Sequence, residues 1–213
     1  MLNVKKLPKV DYIIYCLKNK DIKISNSYFN KFLNLLKTVK NKPNILFTSS
    51  GAVYGKNTNK KKDLESKKIE VDSINNFIGY KKKYAKEKIF LEKKFKDLAA
   101  NGYKVSIARC YTFIGRNIMP YNYVISDLIN DALKKKEIKL KTTANLYRSF
   151  MHSDDLAKWL ITIVKNSNTK CPIYNVGSDK VINLRKLTKK IAKLFDKKTL
   201  LKKISSKKFD YYC

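Results

Sequence analysis

Short runs of apolar, β-branched residues alternate along the whole sequence with longer segments of helical periodicity. The pattern predicts buried strands at residues 11–16, 44–49, 104–109 and 172–176, and helices at 26–40, 77–100, 121–136, 153–166 and 183–195. Parallel strands need long crossover connections, and these are usually helices. The alternation therefore predicts an α/β fold built on a doubly wound parallel sheet.

The formal net charge of +31 raises the question of nucleic-acid binding. The basic residues argue against it, because nearly all are lysines spread along the chain rather than the arginines that read bases and phosphates. Only four arginines are present: Arg109, Arg116, Arg148 and Arg185. Lysine, asparagine and isoleucine all have AT-rich codons, so genome composition is the simpler explanation, and we expect no nucleic-acid partner.

Other bulk features predict a cytoplasmic protein without a membrane or metal site. No stretch approaches the roughly 20 apolar residues that a membrane-spanning helix needs. The four cysteines are far apart and lack the spacing of metal ligands, so we expect reduced thiols. His152 is the only histidine, which excludes a histidine-based metal site.

Ser50 is the first residue with a possible chemical role. It lies in Ser49–Gly55, a stretch of small and hydroxyl residues that follows a predicted buried strand. Ligands of open α/β sheets bind at the carboxyl ends of the strands, which is where this serine is expected. A serine pair after a strand also occurs in simple turns.

Tyr84 and Lys88 are four residues apart on a predicted helix, so their side chains share a face. A neighbouring ammonium favours the phenolate and lowers the pKa of a tyrosine, which can then exchange protons near neutral pH. The helix is rich in lysines, so a chance pair is also easy. Tyr80 is the weaker candidate, because the residue four positions beyond it is Tyr84 rather than a lysine.

Five segments together resemble the extended short-chain dehydrogenase/reductase family, in its NAD-dependent epimerase/dehydratase branch that modifies nucleotide sugars. In family order they are SSGAVYG at 49–55, YAKEKIFLE at 84–92, ARCYTFIG at 108–115, YRSFMHSDDLA at 147–157 and YNVGS at 174–178. The resemblance implies that Ser50, Tyr84 and Lys88 are the catalytic triad, and that Tyr84 and Lys88 also contact an NAD or NADP cofactor.

The same resemblance assigns substrate binding to Ser50 and Arg148. Arg148 matches an arginine that contacts the diphosphate of the nucleotide sugar, and a guanidinium fork suits that group; the alternative is a surface or capping arginine. His152 and Asp154–Asp155 match a structural segment, a strand end followed by a helix whose N-cap is Ser153 or Asp154. Asn183 is a cap candidate for the last helix.

The expected glycine-rich phosphate turn does not occur in residues 1–50, since the first of the six glycines is Gly51. We therefore predict a partial Rossmann-like sheet without its first βαβ unit, and a chain truncated at both ends. The predicted domains are a partial NAD(P)-binding domain at 1–115 and a small substrate-binding α/β region at 116–213. Residues 147–178 are expected to return to the first domain.

The residues after Ser50 bear on the type of reaction. Dehydratases of the branch carry an Asp-Glu pair after the catalytic hydroxyl residue, whereas this chain has Gly51 and Ala52. A 4,6-dehydratase is therefore disfavoured. An epimerase and a 4-keto-sugar reductase stay open, and the motifs are most similar to enzymes of deoxysugar, O-antigen and cell-surface polysaccharide biosynthesis.

Two further expectations concern activity and assembly. Without the phosphate turn the chain could be an inactive fragment or one half of a split enzyme. The family resemblance implies a homodimer through the helices at 26–40 and 77–100, although their apolar faces could equally meet the sheet. A truncated sheet exposes an edge strand, so poor solubility is also predicted.

Overall fold

The computed structural model describes residues 4, 6–19, 21–57, 62–69, 71–116, 123–204 and 209–212. The strands are β1 (Tyr12–Tyr15), β2 (Asn44–Ser50), β3 (Val105–Cys110), β4 (Phe113–Ile114), β5 (Glu137–Leu140), β6 (Asn145–Ser149), β7 (Met151–His152), β8 (Ile173–Val176), β9 (Val181–Asn183), β10 (Lys198–Leu201) and β11 (Phe209–Tyr212). The helices are α1 (Ile22–Leu36), α2 (Val71–Asn75), α3 (Tyr80–Ala100), α4 (Val124–Lys134), α5 (Ser153–Lys165) and α6 (Leu184–Leu194).

The contacts divide the chain into two compact units. The first unit comprises residues 1–55, 64–110 and 157–176, and the second comprises 56–63, 111–156 and 177–213. These units are each made of several stretches of sequence, and the predicted division into residues 1–115 and 116–213 stays a prediction.

A four-stranded parallel sheet in the order β1-β2-β3-β8 forms the centre of the first unit. Tyr15, Phe47, Ile107 and Ile173 occupy matching positions across its four strands. The α/β fold with a parallel sheet that the alternating pattern predicts is thus confirmed.

Aromatic side chains dominate the core between this sheet and the helices α1 and α3. Phe95 of α3 stacks on Phe47 of β2 with ring centroids 4.6 Å apart, and Tyr15, Phe29 and Phe32 surround it edge-on or tilted. Such a cluster buries a large apolar area and fixes the helices on the sheet. It thereby fixes the position of α3, the helix that carries Tyr84 and Lys88.

Small sheets and two helices make up the second unit. β6 pairs in parallel with β11 and antiparallel with β9, while β5 pairs with β10 and β4 with β7. The core lies where α4 and α6 meet β5, and its central side chains are Leu128, Ile138, Leu140 and Leu184. The described strands of this unit are two to five residues long, and none was predicted from the apolar pattern, because they lack the continuous apolar runs that mark β1 and β8.

Several predicted helix boundaries were wrong by three or four residues. α1 begins at Ile22 because the Asp21 carboxylate accepts a hydrogen bond from the Lys23 amide at 2.6 Å and caps the first turn. α3 begins at Tyr80, after Gly79 adopts a positive φ of 60° that interrupts the chain.

The predicted caps had mixed outcomes. The Asn183 side chain accepts from the amides of Arg185 and Lys186, so that cap is confirmed. The caps predicted for α5, Ser153 or Asp154, were wrong, because both residues lie inside the helix and the Asp154 amide donates to Nδ1 of His152 at 3.3 Å. His152 and Asp154 therefore serve as a strand end and a helix start.

The helices and the cysteines can be compared with the predictions made from composition. No helix in the described ranges combines the length and the apolar character that crossing a membrane requires. Cys16, Cys110 and Cys171 are free thiols, and Cys213 lies outside the described residues. No disulfide therefore links the described parts of the chain.

Candidate functional site

Ser50 is the last residue of β2, at the carboxyl end of a central strand. Its hydroxyl accepts a hydrogen bond from the Ala52 amide at 3.2 Å and caps the 3₁₀ turn Gly51–Tyr54. The turn ends at Gly55, whose φ of 78° favours glycine. The serine is buried, as are Gly51 and Ala52 behind it. The structure thus places Ser50 at the strand end where the sequence predicted it.

Lys88 connects three pieces of the first unit. Its ammonium donates to the carbonyl of Thr48 at 3.1 Å and to that of Leu17 at 3.2 Å, and lies 4.9 Å from the centre of the Phe47 ring. The same nitrogen is 5.8 Å from the centre of the Tyr84 ring, one helical turn away. Tyr84 and Lys88 are therefore held together beside the end of the strand that carries Ser50.

Burial determines the protonation behaviour of Lys88, whose side chain is almost inaccessible. Removal from water lowers the pKa of its ammonium, whereas the negative charge of Glu87 opposes that shift. An ammonium has three donors, and two of them are used by carbonyl oxygens. The third suits a hydroxyl of a ribose or sugar.

The surroundings of Tyr84 include a second ammonium that the sequence reading missed. Lys18, in the loop after β1, lies 5.2 Å from the centre of the Tyr84 ring and 5.4 Å from that of Tyr80. The two tyrosine rings stack nearly parallel, with centroids 5.9 Å apart. Nothing in the pattern around Lys18 distinguishes it from its many lysine neighbours, so no sequence signal could have found it.

A buried ion pair lies one turn beyond Lys88 on the same helix. The carboxylate of Glu92 accepts hydrogen bonds from Nε and Nη2 of Arg109 at 3.0 and 2.7 Å. It also accepts one from the Ser49 hydroxyl at 2.6 Å. Burial disfavours the charged guanidinium, but the hydrogen bonds and charge of Glu92 outweigh it and raise the pKa of Arg109. A lone arginine inside the apolar strand Val105–Cys110 was the signal that could have predicted a buried acidic partner.

Tyr54 extends this pair to the far strand of the sheet. Its hydroxyl accepts from Nη1 of Arg109 at 2.7 Å and donates to Oδ1 of Asn175 at 2.9 Å. Burial raises the pKa of Tyr54, and the Arg109 contact acts against that rise. The network ties the turn after Ser50 to α3, β3 and β8.

Arg148 belongs to the second unit, on β6. Its guanidinium donates to the Asp210 carboxylate at 2.9 Å and to the carbonyl of Tyr147 at 2.6 Å. It lines a cleft of about 330 Å³ whose other charged side chains are Lys135, Lys139, Lys141, Asp127 and Asp131. A partly exposed arginine among lysines is compatible with an anionic ligand, and its predicted contact with a diphosphate stays a prediction.

The cofactor that the sequence implies is only partly matched by the described residues. Tyr84 and the buried ammonium of Lys88 have the chemistry to meet a nicotinamide ribose. A glycine-rich turn for the pyrophosphate does not occur in residues 1–50. Among the described residues, no three histidine, cysteine or acidic side chains cluster as metal ligands would.

Comparison with known proteins agrees with this geometry. The model of the NAD dependent epimerase/dehydratase family matches residues 4–177, most of the chain. No curated protein matches. The family resemblance that the five sequence segments carry is thereby confirmed.

Solved structures share the fold at low sequence identity. A UDP-N-acetylglucosamine 4-epimerase from Bacillus cereus has 18% identity and a TM-score of 0.68 over 95% of this chain and 67% of its own. A UDP-glucose 4-epimerase from Thermotoga maritima, solved with UDP-glucose, has 18% identity and a TM-score of 0.71 over 94% and 67%. A dTDP-glucose 4,6-dehydratase from Bacillus anthracis, solved with NAD, has 16% identity and a TM-score of 0.70 over 95% and 63%. The chain thus spans about two thirds of the length of these proteins.

Proposed function

Because the chain belongs to the NAD dependent epimerase/dehydratase family, we propose that it carries the catalytic residues for hydride transfer on a nucleotide-diphosphate sugar. The observation that supports this most is the ammonium of Lys88, buried and fixed by two carbonyls 5.8 Å from the ring of Tyr84. A buried cation at a strand end is costly to maintain, and its proximity to a phenol gives it a chemical use.

Each member of the triad has one role in this proposal. Tyr84 accepts the proton of a sugar hydroxyl as the hydroxyl carbon is oxidised, and returns it when a keto group is reduced. Lys88 stabilises the phenolate, and Ser50 hydrogen-bonds the same sugar oxygen. NAD or NADP, when bound, supplies the acceptor and donor of the hydride.

The reaction we favour is epimerisation or reduction of a 4-keto sugar rather than dehydration. Removal of water from the sugar requires an acid and a base beside the catalytic residues. The two residues after Ser50 are Gly51 and Ala52, both buried in the 3₁₀ turn and without ionisable groups. Epimerase and reductase use the same triad, so direct product analysis must separate them.

For the substrate we propose that Arg148 binds the diphosphate. The Arg148 side chain is 15% exposed and lines the cleft that also contains Lys135, Lys139 and Lys141. Charge-assisted hydrogen bonds to phosphate are about twice as strong as neutral ones. UDP- and dTDP-sugars are the first substrates to test, since one protein of similar fold was solved with UDP-glucose and another is a dTDP-glucose 4,6-dehydratase.

The test is turnover of UDP- and dTDP-linked hexoses with NAD or NADPH, followed by product separation. We expect Tyr84→Phe to abolish turnover and Tyr80→Phe, its stacked neighbour, to retain most of it. Equal activity of wild type and Tyr84→Phe would contradict the proposal. Folding of both variants is checked by circular dichroism.

A second candidate is a chain that binds no nicotinamide cofactor by itself and is inactive alone. Two observations favour it: residues 1–50 contain no glycine, and the edge strand β1 exposes 49% of Tyr12 and 36% of Ile14. Calorimetric titration of the purified chain with NADH and NADPH discriminates. Tight, stoichiometric binding of either would exclude this candidate.

A further inference from the structure

The loop after β1 is fastened to α3 on both sides of Lys18. On one side the Leu17 carbonyl accepts from the Lys88 ammonium at 3.2 Å. On the other, the Asn19 amide donates to Oε1 of Glu87 at 3.4 Å. Both anchors are buried and adjacent on the helix. The backbone of Lys18 is therefore held in place although its side chain is exposed.

This anchoring places a charge above the phenol ring. The Lys18 nitrogen lies 5.2 Å from the centre of Tyr84 and 5.4 Å from that of Tyr80. A cation over an aromatic face is attracted by the ring, and more strongly when the ring carries a phenolate charge. Tyr84 thus has ammonium groups near it from two elements, Lys88 on its own helix and Lys18 on the loop.

Several other titratable groups lie near this pair. On α3, Glu87 lies beside Lys88, and the hydroxyl of Ser25 from α1 donates to its Oε1 at 2.9 Å. From the sheet side, the thiols of Cys16 and Cys110 lie close enough to Lys88 to affect its pKa. Burial raises the pKa of Cys110 to about 12, so that thiol is neutral at physiological pH. Among these groups, the carboxylate of Glu87 supplies negative charge beside Lys88.

We propose that Lys18 is a positioning residue whose ammonium favours the phenolate form of Tyr84. It acts through the tyrosine and touches no reacting atom itself. Lys88 supplies a buried charge and Lys18 an exposed one, so two elements of the fold bring positive charge to the same ring. The contribution of Lys18 to catalysis rests on the proposed function, in which Tyr84 accepts the proton of a sugar hydroxyl. Its effect on the ionisation of Tyr84 does not depend on any substrate.

The test measures the titration of Tyr84 directly. The chain is labelled with ¹³C at tyrosine Cζ, and the Tyr84 signal is assigned by its loss in Tyr84→Phe. We expect Lys18→Met to raise the titration midpoint by about 0.5–1 pH unit, the size expected for a partly screened charge about 5 Å away. Lys18→Arg, which keeps the charge, should restore the wild-type midpoint.

Lys94→Met is the matched control. Lys94 is on the same helix, with its ammonium 5.6 Å from the centre of the Phe90 ring. Its removal changes the net charge by the same amount as Lys18→Met. It should leave the titration midpoint of Tyr84 within about 0.2 pH unit of the wild-type value, because charges beyond a Debye length are screened. An unchanged midpoint in Lys18→Met, or an equal rise in Lys94→Met, would overturn the inference.

The outcome is separable from that of the proposed function. A raised midpoint with no turnover on any nucleotide sugar supports the role of Lys18 while removing the proposed reaction. If turnover is found, its rise with pH should shift upward in Lys18→Met by the same amount as the midpoint. Turnover with an unshifted midpoint and an unshifted pH profile refutes the role of Lys18 alone.

Discussion

The two units each contain an arginine paired with a carboxylate, and the pairs differ in their access to water. In Arg109–Glu92 both side chains are 2% exposed, whereas in Arg148–Asp210 they are 15% and 12% exposed. The first pair has further protein partners in Ser49 and Tyr54. In the second pair, Arg148 lines a cleft. The comparison indicates that one arginine is enclosed by the protein, whereas the other keeps some contact with solvent.

The largest expected effect is on the buried pair. Glu92→Gln removes the charge opposite Arg109 and should lower the free energy of unfolding by about 3–5 kcal/mol, because a buried guanidinium is left uncompensated. Asp210→Asn, the same change in the less deeply buried pair, should cost about 1–3 kcal/mol, because the Arg148 guanidinium loses one partner but keeps some access to water. Urea denaturation of both variants measures the difference. Similar losses in the two would remove the distinction drawn between the pairs.

Ligand affinity, in contrast to stability, should depend on the arginine of the less buried pair. Arg148→Met removes a charge-assisted contact worth about 1.5–3 kcal/mol, so the Kd for UDP or dTDP should rise about 10- to 100-fold. Calorimetric titration with the nucleotide measures it. Arg185→Met is the control, because that arginine donates to the Lys202 carbonyl at the surface and lies outside the cleft lining. A nucleotide Kd that is the same in Arg148→Met and in wild type argues against the diphosphate role.

A smaller effect is expected one step away from the buried pair. Tyr54→Phe leaves Nη1 of Arg109 and Oδ1 of Asn175 without the hydroxyl between them. The free energy of unfolding should fall by about 1–2 kcal/mol. Tyr103→Phe, which removes a hydroxyl from a half-buried ring in the same unit, should change it by less than about 0.5 kcal/mol. Thermal melts of the two variants would show whether the network extends as far as β8.

The smallest expected effect is a pH dependence of the difference in unfolding free energy between wild type and Tyr54→Phe. Burial raises the pKa of Tyr54 above its ordinary value of 10.0 in the folded chain. The contribution of its protonated hydroxyl is fully present below pH 10.0 and is lost as the pH rises through the folded-state pKa. The stability gap between wild type and Tyr54→Phe should therefore narrow above pH 10. A gap that widens there would mean that the folded phenol is the stronger acid.

The sequence predicted the elements with strong periodicity and the residues that belong to motifs. The four strands of the parallel sheet and the helix of Tyr84 were found, because apolar runs and helical spacing reflect burial directly. Ser50, Tyr84 and Lys88 were predicted from their positions in family-like segments. Their placement at one end of the sheet follows from parallel strand order.

What could not be predicted depends on contacts between distant residues. Lys18 approaches Tyr84 only because Lys88 and Glu87 hold its loop, and none of these contacts leaves a periodic trace. The short strands of the second unit are stabilised by pairing with remote partners, as β6 is with β11. Glu92 and Arg109 stood inside motifs that were recognised, but their pairing required the helix and the strand to be placed together.

The first unit is made of three separate stretches of the sequence, so its contacts become possible at different times during synthesis. Glu92 and Arg109 are 17 residues apart, so their pair can close as soon as β3 has been made. Tyr54 must wait for Asn175, 121 residues later, after most of the second unit has been synthesised. Contacts across such separations form slowly. The contact between α3 and β3 can thus form early, and β8 completes the four-stranded sheet later.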